Sequence, residues 1–205
     1  MYTGIVQRVA DIIAVEKKTG LNTLVIIFDD ALLNNLTIGA SVAVDGVCLT
    51  VTTIENNHVF FDVMQETLNT TTLGLLNAGD KVNIERSAKQ GDEIGGHSLS
   101  GHVEGTAQIA QIIESENNCV LRFSCPKDWM KYILPKGFIA INGASLTIVD
   151  TYAEGGFNVY LIPETLRATT FKQKRLGDSV NIEIDNQTKV IVTTVERYLQ
   201  EHPLS

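Results

Sequence analysis

The chain repeats itself. DGVCLTV, at residues 45–51, returns 97 residues later as NGASLTI at 142–148. The match extends both ways: TGIVQ (3–7) meets SGHVE (100–104), and GASVAVDGVCLTV (39–51) meets KGFIAINGASLTI (136–148). The offset then rises to 98, because the turn EGGF (154–157) is one residue longer than its counterpart. ETLNTTT (66–72) meets ETLRATT (164–170) with five of seven positions identical, and GDKVNIE (79–85) meets GDSVNIE (177–183) with six of seven. A repeat this long is a duplicated domain, not a short-period solenoid. The 205 residues suffice for two small domains of about 100 each. The division reads as 1–97, 98–188 and a tail at 189–205.

Within each copy the pattern is short, alternating and β-branched. SVAVDG, CLTVTTI, HVFFDVM and KVNIE read as strands between turn signals, and the second copy repeats them as FIAING, SLTIVDT, FNVYLI and SVNIE. Strands at this spacing predict a closed antiparallel barrel in each half, an arrangement that leaves no exposed edge. Short helical turns are expected at 29–36 and 125–134. The tail, VIVTTVERYLQ (190–200), sets Ile191, Val195, Tyr198 and Leu199 at helical spacing. Such a helix either packs on its own barrel or makes an oligomer contact.

Composition narrows the function. A formal charge of −8, with no basic cluster, repels phosphate backbones and argues against a nucleic-acid partner. No apolar run approaches the roughly 20 residues of a membrane span, and MYTGIVQRVADIIAV does not read as a signal peptide. Cys48, Cys119 and Cys125 cannot all pair and match no zinc spacing, so a reducing cytoplasmic setting with free thiols is expected.

Cys48 and Ser145 occupy equivalent positions, with Thr50 and Thr147 two residues on, facing the same side of their strands. A lone cysteine in a β protein is usually a small buried apolar group. A hydroxyl at the equivalent position argues instead for a pair of polar edges suited to a flat, hydrogen-bonding ligand. The joining segment GDEIGGHSLSGH (91–102) carries His97 and His102 but not the glycine spacing of a dinucleotide site. It reads either as a linker with incidental histidines or as proton carriers at a domain junction. Two histidines five apart have no third ligand nearby, which argues against a metal site there. Glu66-Thr67 and Glu164-Thr165 offer carboxylates for ligand hydroxyls, or threonines that cap helical turns. Lys136 and Asp185 break the symmetry, standing opposite Gly39 and Ser87. Surface charge is the ordinary explanation; chemistry confined to one half is the other.

Taken together, MYTGIVQ, DGVCLTV, GDEIGGHSLSGHVEG, MKYILPKGF, NGASLTI, LIPETLRATT and GDSVNIEID resemble riboflavin synthase of the α-chain type, from Met1 to about Leu199. The resemblance implies an all-β fold: two tandem six-stranded antiparallel Greek-key barrels plus a C-terminal α-helix through which a homotrimer assembles. It implies a transferase that dismutates two 6,7-dimethyl-8-ribityllumazine molecules into riboflavin and 5-amino-6-ribitylaminouracil, without cofactor or metal. The active site would lie between the first barrel of one subunit and the second barrel of a neighbour. Carried over by position, the lumazine contacts would be Gly4, Ile5, Val6, Cys48, Leu49, Thr50, Asp62, Val63, Met64, Gln65, Glu66 and Thr67 in the first half. In the second they would be Gly101, His102, Val103, Lys136, Ser145, Leu146, Thr147, Ile162, Pro163, Glu164, Thr165, Leu166 and Arg167. The chemistry would fall to Cys48 as nucleophile, His102 for proton transfer, and Ser145 and Thr147 for orientation and relay, with His97 and Asp185 in support.

Three positions depart from the family pattern: Tyr2 for the usual Phe, Val47 where many members carry a second cysteine, and Asn142 where Asp is common. Lumazine proteins, which hold a fluorescent ligand without turning it over, share the resemblance but lack parts of the reactive set. A flavoprotein reductase would need a nucleotide-binding βαβ unit that the pattern lacks, and a purely structural barrel would need no matched polar groups.

Overall fold

The computed structural model describes residues 1–116 and 118–202. The first half contains β1 (Arg8–Lys18), β2 (Leu21–Ile27), β3 (Ser41–Val44), β4 (Val47–Glu55), β5 (His58–Met64) and β6 (Lys81–Arg86). They close into a barrel in the order β1-β2-β5-β4-β3-β6, every pair antiparallel. The second half repeats the plan with β7 (Gly105–Glu114), β8 (Cys119–Ser124), β9 (Phe138–Ile141), β10 (Ala144–Tyr152), β11 (Gly156–Leu161) and β12 (Ser179–Ile184). Two of the six strands in each half, β1–β2 and β7–β8, go beyond the four read from alternation. Bulges at Ile12/Ala14 and at the equivalent Ile109/Gln111 shift the pleat within β1 and β7, so the period-two signal breaks mid-strand.

Each barrel is filled by its inward-facing residues. Phe28 and Phe61 meet at 6.0 Å in the first core, and Phe123 and Phe157 at 5.2 Å in the second. Such side chains stabilise by about 1.5–3 kcal/mol each when fully buried. Among the described residues three short helices, α1 (Asp30–Leu33), α2 (Gln65–Thr70) and α3 (Pro163–Ala168), and one longer, α4 (Asn186–Glu201), complete the fold. The turn expected at 125–134 is a 3-10 turn over Lys127–Lys131. The capping alternative for Thr67 and Thr165 is corrected: both lie inside their helices, whose N-caps are Met64 and Ile162. Thr71 and Thr169 are the threonines that cap, each opening a 3-10 turn.

The barrels meet about a pseudo-twofold axis that runs through the chain start. Tyr2 and Leu99, equivalent by sequence, form an antiparallel bridge with N–H···O distances of 2.8 and 3.0 Å. Cys48 N–H donates to the Gly101 carbonyl (2.9 Å) and Ser145 N–H to the Gly4 carbonyl (2.8 Å). Asn83 Nδ2 crosses to the Asn142 carbonyl (2.9 Å), and Asn181 Nδ2 crosses back to the Asp45 carbonyl (2.9 Å). At the axis the backbones touch: a Cβ on Gly46 would lie 2.6 Å from Gly143 N, and both glycines have φ +80°. No larger residue fits there.

The tail helix forms and turns its polar side inward. Lys189 pairs with Glu104, Thr193 with Tyr132 (3.3 Å) and Glu196 with Lys131 (2.6 Å), all on the second barrel. Val190, Ile191, Val195, Tyr198 and Leu199 remain exposed. No helix among the described residues is long and apolar enough to cross a membrane.

Candidate functional site

The same irregularity recurs in both barrels. The β4–β5 ladder ends at Val51–Phe61; beyond it, Cys48, Leu49 and Thr50 pair with β3, whereas Asp62, Val63 and Met64 pair with β2. The two strands therefore part, and α2 begins at the mouth of the split. In the second barrel β10 and β11 part beyond Ile148–Val159, with Ser145, Leu146 and Thr147 held by β9, and α3 begins at the corresponding mouth. Cys48 and Ser145 N–H are taken by Gly101 and Gly4; the other backbone groups that face the gap between parted strands can meet a ligand.

This geometry brings most of the expected contacts together. Thr50, Asp62, Met64, Gln65 and Glu66 are exposed around the first split, with Thr67 partly so. Thr23 Oγ1 donates to Asp62 Oδ1 at 2.7 Å and fixes that carboxylate. Around the second split Thr147, Ile162, Pro163, Glu164 and Arg167 are exposed, and Thr165, Leu166 and Leu146 partly so. Arg167 and Glu164 pair with each other at 2.5 Å. Leu49 and Val63 are buried, so any contact they make runs through backbone. Lys136 stands beside Thr147 because its N–H donates to the Ile148 carbonyl (2.8 Å). It holds φ 67°, a left-handed conformation that its counterpart Gly39 adopts without a side chain.

Cys48 and Ser145 lie where splits and seam meet, each with one side-chain partner of a different kind. The buried Tyr2 hydroxyl donates to Cys48 Sγ at 3.0 Å. His97 Nδ1 lies 2.6 Å from Ser145 Oγ. Gly4 and Gly101 make room for these side chains, since a Cβ on either would fall within 2.6 Å of the Cβ of Ser145 or Cys48. The two glycines are held by carboxylates at 3.1 and 3.0 Å, Glu85 accepting from Gly4 N–H and Glu183 from Gly101 N–H. Burial holds the Glu85 carboxyl above its ordinary value despite the Thr3 and Gly4 donors.

His97 is buried and stacked on Phe138 at 4.9 Å. Burial pushes its imidazole below its ordinary value, and the Asp185 charge only partly opposes this. A neutral ring carries one N–H, so Nδ1 either accepts from the Ser145 hydroxyl or donates to it according to the tautomer. Asp185 caps α4, accepting from Thr188 N–H (2.9 Å) and Thr188 Oγ1 (2.6 Å). Burial opposes its charge, but these donors outweigh it and hold the carboxyl below its usual range. His102 is exposed, with its backbone N–H held by Ser100 Oγ at 3.1 Å, and Ile5, Val6 and Val103 lie beside the two glycine turns. Sequence reasoning passed over the Tyr2 hydroxyl as a functional group, because nothing local connects positions 2 and 48. Among the described residues no group of three or more His, Cys, Asp or Glu is placed to hold a metal.

The model of the Lumazine binding domain matches residues 3–87 and again 100–185. The chain is 52% identical over 200 residues to riboflavin synthase of Escherichia coli (strain K12), covering 97% of this chain and 93% of the relative. It is 48% identical to the riboflavin synthase of Chlamydia pneumoniae, covering 97% of both chains. Among solved structures, LumP complexed with 6,7-dimethyl-8-(1'-D-ribityl) lumazine superposes with a TM-score of 0.82 at 30% identity, covering 91% of this chain and all 100% of LumP. LumP complexed with riboflavin gives the same score at 31% identity.

Proposed function

The chain belongs to the riboflavin synthases, and we propose that its two lumazine binding domains hold two molecules of 6,7-dimethyl-8-ribityllumazine and join them. One molecule gives up a four-carbon unit and leaves as 5-amino-6-ribitylaminouracil; the other gains it and leaves as riboflavin. Carbon, hydrogen, nitrogen and oxygen balance between two substrates and two products, so the overall reaction requires no oxidant or co-reactant.

The observation that carries the reading is the matched pair of strand splits with unlike groups at their inner ends: Cys48 with Tyr2 in one, Ser145 with His97 in the other. The chemistry needs a proton taken from the 7-methyl group of one lumazine and a nucleophile added at C7 of the other. Cys48 serves as the nucleophile, its sulfur adding at C7 and leaving again as the four-carbon unit is delivered, since cysteine is intrinsically the most nucleophilic of the side chains at hand. Ser145 passes a proton to neutral His97. His102 and Thr147, exposed beside these positions, handle and orient the remaining protons, and Lys136 meets polar oxygens of the second substrate. Holding both partners face to face contributes on the order of 7–11 kcal/mol towards the barrier.

A trimer built through α4, with sites between the first barrel of one subunit and the second of its neighbour, completes the reading. The outward apolar face of α4 supports it, as do the exposed Met64, Tyr160 and Ile162 beside the splits. The three free cysteines suit a reducing cytoplasm.

The likeness to LumP favours one other reading, a ligand holder without turnover. Incubating the protein with the lumazine alone and following absorbance decides between them. Two lumazines consumed per riboflavin formed supports the synthase; tight binding without conversion supports the holder.

A further inference from the structure

The sulfur assigned as nucleophile has a partner that the mechanism above does not use. Tyr2 is almost wholly buried at 1% exposure, and among the described residues its hydroxyl makes one hydrogen bond, to Cys48 Sγ. Its ring cannot drift: Tyr2 is clamped by the two-way backbone bridge to Leu99, and its Cε2 lies 3.0 Å from where a Cβ on Gly101 would sit. The second half has nothing equivalent. Leu99 carries no hydroxyl, and Ser145 takes its partner from the joining segment instead.

We propose that Tyr2 is a positioning residue for the reaction: its buried hydroxyl holds the Cys48 sulfur by an O–H···S hydrogen bond and stabilises that sulfur whenever it carries negative charge. The proposal deepens the reading above and rests on its assignment of Cys48.

Three physical points support it. A phenolic O–H can donate to sulfur but gains much more from a thiolate than from a thiol, because hydrogen bonds to an ionised partner are the stronger ones. The donor survives while the thiol ionises. Burial first, then the facing Cys48, Glu85 of β6 and Glu183 of β12, all hold the phenol well above its ordinary value, so it keeps its proton. Finally, with the phenol hydrogen aimed at the sulfur, the thiol's own hydrogen must point away from the ring, which fixes the rotor as well as the position.

The test is Tyr2→Phe, which keeps the buried ring and removes one oxygen. Cys48 alkylation by iodoacetamide is followed against pH, with peptide mapping to separate it from Cys119 and Cys125. The expected result is a profile displaced to higher pH, with alkylation about fivefold slower near neutrality, and a fall in kcat with KM unchanged. A merely structural role for the hydroxyl would move the melting temperature but not the profile. Superimposed profiles overturn the proposal, and so does a raised KM at unchanged kcat, which would make the hydroxyl a binding group. Cys48→Ser in parallel separates the two levels. Full turnover there overturns the role of Cys48 itself, whereas lost turnover beside superimposed profiles overturns only the role of Tyr2.

Discussion

Asn181 reaches from the second barrel to donate its side-chain amide to the carbonyl of Asp45, 136 positions away, at 2.9 Å. Asp45 in turn accepts from Asn83 N–H at 2.8 Å, as Asn142 accepts from Asn181 N–H at 2.7 Å. The equivalent positions make the same bond, but one carries a carboxylate and the other an amide.

That difference predicts a stability change with pH. Burial pushes the Asp45 carboxyl up from 3.8 to about 6, against the opposing pull of Asn83 N–H and Lys174. Below pH 4 the group is protonated whether the chain is folded or not. Between pH 4 and 6 the unfolded chain ionises first, so the folded state loses stability, by at most about 3 kcal/mol once above pH 6. Asp45→Asn removes this loss but leaves an unpaired buried amide, as at Asn142, which costs about 1–2 kcal/mol. The variant is therefore expected to be about 1–2 kcal/mol more stable than the parent at pH 7 and no more stable at pH 4, by urea denaturation. Equal midpoints at pH 7 would show that Asp45 is not a liability.

Lys136 is expected to trade stability for function. Its φ of 67° suits the glycine found at the equivalent position, so Lys136→Gly should gain roughly 0.5–1 kcal/mol. The lost ammonium should raise KM about tenfold, the equivalent of one charge-assisted hydrogen bond. A melting curve and a substrate titration on the same preparation check both signs at once.

His97 and Ser145 should behave as one unit. Ser145→Ala and His97→Gln are each expected to lower kcat roughly a hundredfold, and the double variant no further. Because burial keeps His97 neutral to below its ordinary 6.5, activity needing the neutral ring falls only as pH drops beneath that value. This acid limb should vanish in His97→Gln. Additive losses would separate the two residues.

Val195→Glu places a charge on the outward face of α4 while leaving the Lys131–Glu196 and Tyr132–Thr193 contacts in place. Sedimentation should show single chains with an unchanged circular dichroism spectrum, and turnover should fall with the loss of assembly. A variant that sediments like the parent would remove α4 from the interface.

What the sequence made legible follows the range of each interaction. The duplication, the four evenly alternating strands of each half and the periodicity of α4 are local signals. Strands β1 and β7 were obscured by bulges, and α4 showed a stripe without showing which side the barrel would take. Its barrel took the polar side, through Lys189, Thr193 and Glu196. Of the candidate site, Cys48, Ser145 and their threonines stood out because the halves could be laid over one another. The Tyr2–Cys48 bond and the Asp45–Asn181 crossing did not, since each depends on how two folded barrels dock.

Gly46 and Gly143 touch where the halves meet, and that contact has a consequence for the reaction. Two identical barrels docked about such a dyad would carry the same residue at both equivalent places. Joined in one chain they are released from that rule, and the halves have drifted apart: Cys48 answers Ser145 and Tyr2 answers Leu99 at the seam, and Lys136 answers Gly39 beside the splits. The proposed reaction takes two indistinguishable molecules and must treat one as donor and the other as acceptor. With unlike walls on either side, the fate of each is decided by its address.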